Sequence, residues 1–141
     1  MDYATWDRIA DAVNPTLGVI TLALSLAIRR PGNPPRWAQL LLTLTAVAGV
    51  YAIGWVDTRY ALWSAASMDF STHAGVHVAI VASLWMIDRR LGIAGVVIAL
   101  LYGALMLYQK YHSFADIAST VVVIAPLALG IWILGQRVAR R

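Results

Sequence analysis

The sequence predicts an all-α membrane protein: one polytopic bundle of about five transmembrane helices with an N-terminal interfacial helix, a single domain over residues 1–141. Three observations carry that expectation. Hydrophobic residues make up 60% of the chain against 13% charged, and the mean hydropathy is +0.70, a balance that suits lipid rather than water as solvent. The apolar residues gather into long runs separated by short polar connections. Arginines and tryptophans punctuate the ends of several runs, as at a membrane–water interface.

Residues 1–12 place Tyr3, Trp6, Ile9 and Ala10 at three- and four-residue spacings with Val13, and Asp2, Asp7 and Asp11 elsewhere round the wheel. That pattern predicts a separate interfacial helix with its aromatics among headgroups. The first span, 13–28, is opened by Asn14-Pro15, read as cap and first turn, and closed by Arg29, Arg30 and Pro31. The second, 37–55, carries Trp37 and Trp55 at its ends, and its 19 residues, at roughly 1.5 Å each, reach about 28 Å against a hydrocarbon core of about 30 Å. A third span over 71–87 contains His73 and His77, a fourth covers 91–107 and a fifth 117–134. Little chain is left for a separate soluble domain.

Segments that follow odd-numbered spans must share one side of the membrane. They hold Arg29, Arg30, Arg36, Arg89, Arg90, Arg137, Arg140 and Arg141, eight of the 11 basic residues, and leave Arg8, Arg59 and Lys110 opposite. The positive-inside rule then predicts a cytoplasmic C-terminus and an outside N-terminus, in a bacterial inner membrane. The net charge of +4 is explained by this asymmetry, so nucleic acid is not an expected partner. No cysteine is present, which excludes disulfides and thiolate chemistry. The acidic N-terminus lacks the basic region and short apolar core of a cleaved signal peptide, and no cleaved leader is expected.

The three histidines all fall in the segments assigned to the outer side, DTRYALWSAASMDFSTHAGVH and YQKYHSFAD. Ser71-Thr72-His73 begins a span, where free N–H groups and the positive end of the helix dipole suit a phosphate. His112 and Asp116 are four residues apart, so one helical turn would bring imidazole and carboxylate together. A carboxylate on one ring nitrogen fixes the tautomer and leaves the other nitrogen as nucleophile or base, while a second histidine can protonate a leaving oxygen. The competing structural readings are that Ser71 is only an N-cap, that Asp116 is the N3 partner of an N-cap at Ser113, and that Trp63, Tyr108 and Tyr111 are interfacial anchors. His77, a turn deeper than His73, is expected to support the site by hydrogen bonding.

These segments resemble the type 2 phosphatidic acid phosphatases and the related lipid phosphotransferases, including sphingomyelin synthases. Phe70-Ser71-Thr72-His73-Ala74 is similar to the family's Pro-Ser-Gly-His-Thr signature without its proline and glycine, and His112-Ser113-Phe114-Ala115-Asp116 is similar to its His-x-x-x-Asp signature. The likeness covers roughly residues 55–130. It implies a phosphorylated lipid substrate at the outer leaflet, no metal or other cofactor, His112 as a nucleophile that becomes phosphohistidine, Asp116 as its orienting partner and His73 as general acid, with Ser71 and Thr72 at the phosphate. The family's Lys-x6-Arg-Pro is absent, and Met106 stands where its arginine precedes the nucleophilic histidine. By elimination the cations on that side are Arg59, Lys110 and the distant Arg8, of which Arg59 and Lys110 are expected to serve a phosphoryl group.

Two other functions fit the same residues. His73, His77, His112 and Asp116 offer three imidazoles and a carboxylate, a donor set for zinc or iron in a metal-dependent intramembrane hydrolase. A noncatalytic lipid-binding subunit is the third reading, supported by the missing phosphate cations. Haem is disfavoured, because the outer segments lack a c-type attachment motif and the remaining spans lack a second histidine layer.

Overall fold

The structure, a computed structural model, describes residues 3–139 and is an all-α bundle of five helices: α1 Tyr3–Ala27, α2 Arg36–Tyr60, α3 Thr72–Ile87, α4 Arg89–Tyr108 and α5 Phe114–Ala139, with one short 3-10 turn at Ser64–Ala66. α1, α2, α4 and α5 are each long and apolar enough to cross a membrane. α3 has 16 residues, about 24 Å at ~1.5 Å per residue, shorter than a hydrocarbon core of about 30 Å. It compensates by position: α3 packs against all four other helices. Ten of its residues are buried, among them Val76, Ala79, Ile80 and Leu84. α4 and α5 show the converse, with Leu100 and Val122 at 70% and 72% exposure, apolar surface of the kind a membrane covers.

The first two sequence elements are one element here. α1 runs without a break through Asn14 and Pro15, so that pair is neither cap nor first turn. Proline removes one helical hydrogen bond, a loss tolerated in membrane helices where neighbours satisfy the freed groups. Asn14 spends its side chain on α3 instead, donating to the His73 carbonyl (2.9 Å) and meeting the His77 ring at 3.0 Å.

α3 and α4 are joined through Asp88 alone, whose extended backbone closes one helix while its carboxylate caps the next, accepting from the Arg90 N–H at 2.8 Å. Arg30 pairs with the same carboxylate, so the one acid among the basic connections is neutralised. The hairpin is tight: a Cβ on Gly92 would lie 2.5 Å from the Trp85 Cα. Gly75 likewise admits Val50, where a Cβ would lie 2.7 Å from the valine Cγ1. Trp132, fully buried in α5, donates from its indole to the Ser83 hydroxyl (3.0 Å).

Candidate functional site

The α2–α3 and α4–α5 connections lie at one end of the bundle, and that end holds the residues singled out from the sequence. Ser71 caps α3: its hydroxyl accepts from the Ala74 N–H (3.3 Å) and its own N–H donates to the Thr120 hydroxyl (3.1 Å). It is completely buried. Its oxygen is therefore spent on the helix start, while the N–H groups of Thr72 and His73 belong to a first turn that has no intrahelical acceptor for them. His73 is exposed and lines a cavity of about 150 Å³ that His112 also lines, together with Asp11, Tyr102 and Tyr111. Two histidines, one from the first turn of α3 and one from the α4–α5 connection, thus line one space.

His112 does not belong to α5, which begins at Phe114. Ser113 is the N-cap and Asp116 the third helical residue, paired reciprocally: the Asp116 N–H donates to the Ser113 hydroxyl (3.2 Å) and the Ser113 N–H donates to Asp116 Oδ2 (2.7 Å). This is a capping box. The other oxygen, Oδ1, accepts from the Asp69 N–H at 2.7 Å. The imidazole–carboxylate hydrogen bond expected between His112 and Asp116 is not formed. One-turn spacing brings side chains together only when both residues are helical, and here the cap separates them. The carboxylate beside His112 is Asp69, whose Oδ2 lies 3.4 Å from Nδ1, within ion-pair range but without hydrogen-bond alignment. Asp116 buttresses both strands of this contact through their backbones.

His77 is buried between Asn14 and the Tyr102 ring, on which it stacks at a centroid distance of 5.2 Å. Through Asn14 it reaches the His73 carbonyl, so it supports the backbone of the first imidazole rather than lining the cavity. The Tyr102 hydroxyl donates to the Ala10 carbonyl (3.2 Å), tying α4 to α1 beneath the same space. Trp63 is not an interfacial anchor: it is buried edge-on against Phe70, and its indole donates to the Ser119 hydroxyl (2.9 Å). Tyr108 is 74% exposed and meets Trp6.

Neither expected cation lines the cavity. Arg59 is exposed on the last turn of α2, and Lys110 is exposed in the turn before α5 with a positive φ of 58°. Asp57 accepts from the Trp63 N–H (2.8 Å). Among the described residues, the cavity wall carries one carboxylate, that of Asp11, beside its two imidazoles.

A second, larger recess of about 420 Å³ runs between α1, α2 and α3, walled by Leu22, Leu44, Val47, Val76 and Ile80, with Thr72 at its polar end. Asp11 and His73 line both spaces, so the apolar recess and the imidazole cavity adjoin. For a metal the arrangement is poor: among the described residues no three His or Asp side chains converge as a ligand set. His77 faces Asn14, and Asp116 is committed to two backbone N–H groups.

Fold and site define a polytopic helical membrane protein with an imidazole-lined cavity at one end, open to an apolar recess. No family model, no curated protein and no solved structure matches the chain. Asp69, Asn14 and Asp11 are the site residues that sequence reasoning passed over. Asp69 had a local signal, since it stands two residues before the cap of α3. Asn14 and Asp11 had only their three-residue spacing on one helix, which an isolated interfacial helix obscured.

Proposed function

We propose that this protein is a lipid phosphatase or phosphotransferase acting on a phosphorylated lipid at the outer face of the cell membrane. The observation that carries the reading is the shared cavity of His73 and His112, adjoining an apolar recess between helices. Histidine is suited to both halves of such a reaction, as a nucleophile when neutral and as a proton donor when charged. The recess suits hydrocarbon and the cavity a headgroup. The outside placement rests on the arginine asymmetry of the connections.

In the proposed reaction the Nε2 of His112 attacks phosphorus while Nδ1 faces Asp69. The bond from phosphorus to the lipid oxygen breaks, and His73 gives that oxygen its proton. Water or an acceptor hydroxyl then attacks the phosphohistidine, His73 takes its proton, and His112 is released neutral. Charge developing on phosphorus meets the N–H groups at the start of α3. Asp69 takes over the orienting role first given to Asp116, which holds Asp69 and Ser113 in place. Arg59 and Lys110, exposed and off the cavity wall, attract the anionic substrate rather than clamp it.

The second reading, a noncatalytic lipid-binding subunit, is favoured by the absence of lysine and arginine from the cavity wall among the described residues. Incubating purified protein with a panel of lipid monophosphates, pyrophosphates and phosphodiesters separates the two. Release or transfer of the phosphoryl group from at least one of them, lost in His112→Ala, is the expected result. No turnover across the panel, or full turnover in His112→Ala, overturns the catalytic reading.

A further inference from the structure

Two helices that follow one another in the chain, α4 and α5, both pack broadly on α3 but scarcely on each other. The gap between them is an apolar groove of about 570 Å³, floored by Val78, Val81 and Ala82 of α3 and walled by Leu100 and Gly103 of α4 and Val121 of α5. It shares no residue with the imidazole cavity or with the recess beside it. Gly103 opens it: a Cβ there would meet nothing within 4 Å. One end, at Leu107 and Phe114, adjoins the α4–α5 connection, and the other, at Trp85, adjoins the junction of α3 and α4.

That second end carries charge. The Arg89 guanidinium lies over the Trp85 ring, 5.9 Å from its centroid, and both residues are exposed. The carboxylate at this junction, Asp88, is taken by Arg30 and by the Arg90 N–H, and among the described residues Arg89 has no acidic partner. An unpaired guanidinium at the mouth of a hydrocarbon-lined groove suits an anion that bears an apolar chain. The dimensions narrow the occupant further. On α5 the lining runs from Phe114 to Leu129, about 22 Å at ~1.5 Å per residue. Spread over that length, 570 Å³ leaves a cross-section of about 26 Å², roughly a third of that of a helix about 10 Å across. A single hydrocarbon chain fits, and a helix of a second copy does not. We infer that the α4–α5 groove binds an anionic phospholipid, one acyl chain between the helices and its phosphate on Arg89, apart from any substrate in the histidine cavity.

The test is a binding measurement. Purified protein in a nonionic detergent is titrated with phosphatidylglycerol and phosphatidylcholine of identical chains, and Arg89→Gln, Gly103→Leu and Arg36→Gln are titrated in parallel with their lipid-free unfolding midpoints recorded. The wild type should bind phosphatidylglycerol roughly tenfold more tightly than phosphatidylcholine, a difference of the size a charge-assisted contact provides. Arg89→Gln, at an exposed position, should keep the wild-type midpoint and lose the preference. Gly103→Leu fills open space in the groove and should weaken both lipids severalfold without lowering the midpoint. Arg36→Gln removes another exposed arginine at the same end of the bundle, where Asn33 donates to the Ile87 carbonyl, and should keep the preference. Equal binding of the two lipids, undiminished binding in Gly103→Leu, or loss of the preference in Arg36→Gln as well overturns the inference. So does a concentration-dependent dimer that Gly103→Leu abolishes, which would seat a second copy in the groove. His112→Ala, at the opposite end, should bind both lipids as the wild type does, and a preference lost there would place the lipid in the histidine cavity instead.

Discussion

Replacing Asp116 by alanine removes the acceptor of two backbone N–H groups at once, those of Asp69 and Ser113, each 2.7 Å from a carboxylate oxygen. The side chain is 8% exposed, so water replaces these bonds incompletely. A charge-assisted hydrogen bond contributes about 1.5–3 kcal/mol. Because Ser113 and Asp69 are themselves exposed and can recruit some water, the lower end applies, and Asp116→Ala should cost about 3 kcal/mol for the two together. Asp116→Asn keeps one acceptor oxygen and turns an N–H₂ toward the other donor, so its cost should be near half, about 1.5 kcal/mol. Equilibrium unfolding of the purified protein in detergent measures both. Wild-type stability in both variants together with lost turnover would mean that Asp116 acts on His112 directly and not through the loop.

Gly92→Ala should lower stability by about 1–3 kcal/mol, since its Cβ would meet the Trp85 backbone and force α3 and α4 apart. Gly103→Ala, with nothing within 4 Å of its Cβ, should be neutral or slightly stabilising, and thermal unfolding of the pair is the check. For the orientation, a cysteine replacing exposed Ala65 should react with a membrane-impermeant thiol reagent on intact cells, and one replacing exposed Pro31 should react only after permeabilisation. The reverse pattern would place the site on the cytoplasmic side.

The helices were legible because long hydrophobic runs closed by arginine and tryptophan leave few alternatives: the expected 71–87 and 91–107 became Thr72–Ile87 and Arg89–Tyr108, the first of them too short to count among the four helices of span length. The division of α1 was a misreading of Pro15. Proline in a first turn and proline inside a membrane helix look alike in sequence, and only the packing of Asn14 against His73 and His77 tells them apart. The His112–Asp116 spacing failed for a related reason, the phase of the helix start. Ser113 is a good N-cap, and once it caps, the residue before it leaves the helical register. Asp69 was invisible as a partner of His112 because that contact is made between connections far apart in the chain, joined through Asp116. His73 and His112, singled out in the sequence for their setting, line one cavity.

The proposed reaction passes through a covalent phosphoryl intermediate on one imidazole of that cavity. Purified protein mixed with a lipid substrate labelled at phosphorus, quenched within milliseconds and digested, should yield acid-labile, base-stable phosphate on the peptide containing His112. The label should be absent in His112→Ala, and in His73→Ala it should accumulate more slowly, because an alkoxide departs poorly without a proton. A lipid that turns over with no phosphate on His112, or label that persists in His112→Ala, would rule this intermediate out.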